Sequence, residues 1–182
     1  PEGKAFTGQP YAFRDAHLPS LTETAALIKG QGAKAILQIH HGGDRAIVDG
    51  AVSPSGTGTT RALADNDIQS LVTAFGKAAA LAIDAGFDGV EIHGANGYLL
   101  QQFFSAQSNQ RTDRWGGSLQ NRMRFPLAVV DAVVEQKRRA GRDDFIIGYR
   151  FSPEEAGDQG LTMADTFALV DALVQKPLQY LH

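Results

Sequence analysis

His93, Asn96 and Tyr98 fall within six positions of one another in the run His93-Gly94-Ala95-Asn96-Gly97-Tyr98. An imidazole and an amide can each direct an N–H at one oxygen, and a phenol nearby offers an acidic O–H. Together these groups would suffice to polarise a carbonyl and to protonate the carbon beside it. The same residue types also suit a capped strand end with a buried histidine and a packed tyrosine, Gly94 and Gly97 letting the backbone turn tightly. The residues alone leave both readings open. Two further polar side chains close apolar runs: Gln38 in Ala35-Ile36-Leu37-Gln38-Ile39-His40, and Arg150 in Phe145-Ile146-Ile147-Gly148-Tyr149-Arg150. Taken singly, Gln38 reads as a satisfied core amide and Arg150 as an ion-pair partner for Glu154, Glu155 or Asp158. His40 and His41, with His93, could instead nominate a metal site in a barrel hydrolase. Adjacent residues of a strand point to opposite faces, however, and no carboxylate completes a triad.

These side chains need elements to position them. The apolar runs from Ala35 to His40, Gly89 to His93, Phe145 to Arg150 and Leu178 to Leu181 read as strands. Between them the period changes to about 3.6. From Asp65 to Ala85 the residues Ile68, Leu71, Val72, Phe75, Ala78, Ala79, Ala82 and Ile83 share a face, with Gly86 placed to end the helix. A second helix is predicted from Ser118, its N-cap, to Ala140, with Leu119, Met123, Leu127, Val130 and Val134 inward. A third runs from Thr162 to Gln175 with Phe167, Val170 and Val174 inward, and a fourth covers Leu21 to Lys29. The stretch from Ala51 to Thr60, rich in small and turn residues, is expected to be a loop.

Strands alternating with helices imply βαβ crossovers and a parallel sheet. Of the two architectures that fit, a doubly wound sheet and a closed barrel, the barrel is favoured because several strands carry polar groups at their C-terminal ends. The predicted fold is α/β, a (β/α)8 TIM barrel. A full barrel takes about 250 residues, so a single domain of 182 residues with four strands amounts to roughly half of one. The chain is therefore expected to be the central portion of a barrel, or to pair with another copy.

From Gly86-Phe87-Asp88-Gly89-Val90-Glu91-Ile92-His93-Gly94-Ala95-Asn96-Gly97-Tyr98 and Arg111-Thr112-Asp113-Arg114-Trp115-Gly116-Gly117-Ser118-Leu119-Gln120-Asn121-Arg122, the chain resembles the Old Yellow Enzyme family of FMN-dependent oxidoreductases. The likeness is strongest to the bacterial NADH:flavin oxidoreductase branch and extends from about Leu18 onward. It implies FMN as cofactor, NADH or NADPH as reductant, and an activated alkene as substrate. It also implies that His93 and Asn96 bind the substrate oxygen, that Tyr98 gives the proton, that Gln38 meets the flavin pyrimidine edge and that Arg150 lies beside flavin N1 and O2. One departure concerns the family's Gln-x-x-His-x-Gly-Arg pattern: Asp44 occupies the Arg position and Arg45 is displaced by one. The family's first two and last two strands have no counterpart in this chain, so a half-barrel without activity of its own is the alternative expectation. In Arg111-Thr112-Asp113-Arg114 a structural loop is preferred to a phosphate clamp.

Composition excludes other classes. With 17 basic and 20 acidic side chains and no basic stripe, nucleic acid is a poor partner. No apolar run reaches the ~18 residues needed to span a bilayer. The absence of Cys rules out disulfides, zinc ribbons and thiolate clusters within the chain, and permits a reducing, cytoplasmic setting.

Overall fold

The structure is a computed structural model and describes residues 2–182. Along the chain run α1 (Leu18–Lys29), β1 (Ile36–Ile39), β2 (Val52–Ser53), β3 (Arg61–Ala62), α2 (Asp65–Asp84), β4 (Gly89–Gly94), α3 (Leu99–Phe104), α4 (Leu119–Arg139), β5 (Ile146–Phe151), α5 (Met163–Leu173) and β6 (Tyr180–Leu181). The strands β1, β4, β5 and β6 form one sheet in that order, and every neighbouring pair is parallel. Helices α2, α4 and α5 carry the chain between successive strands, as the alternating pattern predicts.

One face of the sheet is apolar and lies under the helices. Ile39, Val90, Ile92, Ile147 and Tyr149 are almost fully buried in a core shared with Ile68, Phe75 and Ala79 of α2 and Phe125, Val129 and Val133 of α4. Each Val, Ile or Phe among them contributes about 1.5–3 kcal/mol by leaving water. The face of α4 is centred on Phe125, Pro126, Val129, Val130 and Val133, with the predicted Leu119, Met123, Leu127 and Val134 half-buried at its flanks. Helix α4 opens where expected, the Ser118 hydroxyl accepting the Asn121 N–H at 3.3 Å. Helix α2 is closed by Gly86 just past its C-cap Ala85, with the φ of +82° that suits that position.

Three expectations need correction. Helix α1 begins at Leu18, not Leu21, because Pro19 fits the first turn, where its missing N–H costs no hydrogen bond. The loop after β1 contains a short parallel ladder, Val52 and Ser53 of β2 pairing with Arg61 and Ala62 of β3. The face of α5 is also rotated. Phe167 and Val174 are 60% and 57% exposed, whereas Thr166, Leu169 and Leu173 are buried. The Thr166 hydroxyl donates to the Pro153 carbonyl at 2.6 Å, which satisfies a buried polar group and turns the helix toward the spacing of Leu169 and Leu173. The N-terminus of α5 agrees with the sequence: Thr162 and Asp165 exchange reciprocal hydrogen bonds in a capping box.

Candidate active site

Because side chains alternate along a strand, the residues between the buried apolar ones point to the opposite face of the sheet. Register groups them into rows. Gln38 on β1 pairs with Glu91 on β4, Glu91 with Gly148 on β5, and Gly148 with Tyr180 on β6. The next row toward the C-terminal ends holds His93 opposite Arg150, flanked by His40 just beyond β1 and by His182 just beyond β6. Every predicted site residue borne by a strand therefore lies on one face.

After His93 the chain turns sharply. Asn96 and Gly97 both adopt left-handed backbone conformations, with φ of +58° and +71°. Asn tolerates this conformation better than most side chains. At Gly97 the same conformation favours glycine, and a Cβ there would have to push aside the Arg45 guanidinium, 2.6 Å away. The turn is pinned by the Asn96 N–H donating to the Ser152 hydroxyl (2.9 Å), the Gly97 N–H to Gln101 Oε1 (2.8 Å), and the Leu99 N–H to the His41 carbonyl (3.0 Å).

This turn brings Tyr98 back over His93. The two ring centroids are 5.3 Å apart, and His40 completes a triangle at 5.1 Å from Tyr98 and 5.8 Å from His93. His93 is 2% exposed and its Nδ1 has no partner, as is true of His40 Nδ1. Burial, reinforced by His40 and Arg150, pushes the His93 imidazole down to about 4. It is therefore neutral at pH 7 and carries one N–H to donate. Asn96 is exposed on the rim of the turn. Arg150 is half-buried and takes part in none of the ion pairs among the described residues, so the expected alternative partners Glu154, Glu155 and Asp158 do not hold it. Glu155 instead accepts from Gln101 and Ser105. Gln38 is exposed, and its amide nitrogen donates to Glu91 at 2.5 Å.

Two neighbours of this cluster stand outside its predicted members: His40, which the sequence offered only with His41 and His93 as a metal site, and Glu91, which it left without a role. For both the available signal was spacing: His40 lies two residues after Gln38, and Glu91 two before His93. His41 points away from the cluster, packs against Gly3 and accepts the Gly43 N–H at 3.1 Å. No group of three His, Cys, Asp or Glu residues among the described residues is arranged to hold a metal ion.

The second motif is a frame for the first. Arg111 donates to the Pro54 and Leu63 carbonyls (2.5 and 2.6 Å) and pairs with Asp113. Arg114 and the Trp115 indole N–H both bond Asp65 at the start of α2. The Asn109 amide donates to the Phe103 and Trp115 carbonyls (2.6 and 2.8 Å), and Arg122 to those of Phe104 and Gly117 (2.8 and 2.6 Å). These bonds use the charged groups structurally, as preferred from the sequence, and fix α3 behind Tyr98. A cavity of about 460 Å³ lies elsewhere, between the N-terminal segment and α2, and reaches Gln38 and His40 but none of His93, Asn96, Tyr98 and Arg150.

Known proteins resemble this chain in sequence and fold. The sequence profile of the NADH:flavin oxidoreductase / NADH oxidase family matches residues 1–182. A probable NADH-dependent flavin oxidoreductase of Bacillus subtilis is 51% identical over 100% of this chain and 52% of its own length. An NADH:fumarate oxidoreductase of Klebsiella pneumoniae is 47% identical over 99% of this chain and 21% of its own. Among solved structures, morphinone reductase superposes with a TM-score of 0.86 at 29% identity, over 100% of this chain and 55% of that one. An Old Yellow Enzyme homologue from Zymomonas mobilis does so with a TM-score of 0.88 at 25% identity, over 99% and 56%. The chain thus has the parallel α/β fold of these TIM-barrel enzymes, carries part of their sheet, and spans about half the length of its Bacillus relative. No helix among the described residues is long and apolar enough to cross a membrane.

Proposed function

The chain belongs to the NADH:flavin oxidoreductase / NADH oxidase family, and on that premise we propose that its polar sheet face serves an FMN-dependent reduction of an activated alkene such as an enone, with NADH or NADPH as reductant. The observation that carries this reading is Tyr98 folded over a buried, neutral His93 at 5.3 Å between ring centroids. The residues also fit the cofactor: Arg150 is a cation with no ion-pair partner among the described residues, Gln38 offers an exposed amide, and both stand on the face that holds His93. FMN, when bound, supplies the hydride that NAD(P)H delivers.

The work of this chain's own residues follows. His93 and Asn96 donate to the carbonyl oxygen of the substrate and stabilise the negative charge that gathers on it. Tyr98 gives its hydroxyl proton to the carbon beside the carbonyl, while the next carbon receives the hydride. Arg150 would hold the flavin by its pyrimidine edge and offer a cation to offset negative charge there, and Gln38 would hold the pyrimidine end with its amide. The neutral state of His93 suits this role, since it binds an oxygen without itself becoming an acid that competes with Tyr98.

A second reading concerns these 182 residues alone. The sheet has one free edge at β1 and another at β6, and the chain spans 52% of the Bacillus relative. In isolation it would then be a non-catalytic half-barrel. Purification with FMN followed by a visible absorbance spectrum separates the two. A yellow protein that NADH bleaches anaerobically supports the catalytic reading, and a colourless one supports the half-barrel.

A further inference from the structure

Glu91 is a buried carboxylate to which the chemistry above assigns no part. It is 7% exposed and occupies the middle of the polar face, between Gln38 on β1 and Gly148 on β5. Three side chains converge on it. Gln38 Nε2 donates to its Oε1 at 2.5 Å, His182 Nδ1 lies 2.9 Å from its Oε2, and the Tyr180 hydroxyl hydrogen-bonds it from β6. Tyr180 reaches that far because Gly148 stands between: a Cβ there would come within 2.1 Å of the tyrosine ring. Burial pushes the Glu91 carboxyl up, but the bonds from Gln38, His182 and Tyr180 outweigh it and hold the group below the usual carboxylate range.

An ionised carboxylate accepts hydrogen bonds and donates none. A glutamine amide facing it has one available orientation, with the nitrogen toward the carboxylate and the carbonyl oxygen away. Without that constraint the amide could present either edge with similar ease. The pyrimidine edge of a flavin carries an imide N–H, a donor, and this selects between the two orientations.

We propose that Glu91 is a positioning residue that orients the Gln38 amide, so that its carbonyl oxygen is presented to the imide N–H of a bound flavin. The proposal rests on the reading of this face as the flavin edge. It is tested by a double-mutant cycle on FMN affinity, read by quenching of flavin fluorescence, with a melting curve for each variant. Glu91→Ala is expected to weaken FMN binding about fivefold in the wild-type background, the worth of roughly one hydrogen bond. In a Gln38→Ala background the same change should cost less than about twofold, since nothing is left to position. Glu91→Gln, whose amide can donate as well as accept, no longer imposes one orientation on Gln38 and should also weaken FMN binding, by less than Glu91→Ala because one of its two orientations still accepts from Gln38. Should Glu91→Ala fail to fold, Glu91→Met keeps the buried volume and takes its place in the cycle. Equal losses in both backgrounds, or no loss in either, overturn the proposal while leaving the flavin reading intact. A wild-type chain that takes up no FMN overturns both.

Discussion

The two faces of the four-stranded sheet are made by the same strands and do opposite work. Ile39, Val90, Ile92, Ile147 and Tyr149 face the helices and are buried among apolar neighbours. Gln38, Glu91, His93 and Arg150, each one residue away from one of these, face the other side and carry hydrogen bonds or, among the described residues, a ring nitrogen without a partner and a cation without an ion pair. A one-residue phase in the strand thus separates stability from chemistry. Substitutions on the helix-covered face should move the melting transition, and those on the polar face should move rates.

The largest separation is expected at two neighbours, Ile92 and His93. His93→Ala should lower kcat for an enone about 100- to 1000-fold, the usual loss when one donor to a developing oxyanion is removed. A loss confined to KM would assign His93 to binding alone. Its melting temperature should change little, whereas Ile92→Ala, at a fully buried position, should cost about 2–5 kcal/mol of stability with little change in kcat per folded molecule. Urea unfolding of both variants checks this contrast, and it breaks down if Ile92→Ala unfolds at the wild-type midpoint.

A smaller effect is set by pH. Burial holds both His93 and His41 at about 4, against 6.5 in the unfolded chain. Between those values the unfolded state binds more protons than the folded one. Stability is therefore complete above about pH 6.5 and is lost as pH falls toward 4, at up to about 1.4 kcal/mol per pH unit for each histidine. Replacing His41 by Gln should make that slope shallower in urea titrations, the remainder coming from His93 and from His40, which burial also lowers. An unchanged slope would show that His41 is not held neutral by the fold.

Much of the candidate site was legible because its signals are local. His93, Asn96 and Tyr98 lie in one short run, and the strands around Gln38 and Arg150 are short apolar stretches whose alternation can be read directly. The role of Glu91 was hidden because its partners Gln38 and His182 lie 53 and 91 residues away along the chain. Only parallel register brings them together. The α5 face failed for a related reason. Phe167 and Val174 are larger or more apolar than Thr166, so hydrophobicity chose them, yet a tertiary hydrogen bond to Pro153 decided the rotation. The loop from Ala51 to Thr60 hid a ladder of two pairs, too short to leave an alternating pattern.

The division of labour between the faces is tested most directly by Tyr98→Phe in the FMN-loaded protein, reduced anaerobically with NADH and mixed with an enone in a stopped-flow spectrometer. Removing one hydroxyl should leave flavin reduction within about twofold of wild type and slow reoxidation by the enone at least about 100-fold, the usual worth of a positioned general acid. Reoxidation at the wild-type rate would contradict the assignment of the proton to Tyr98.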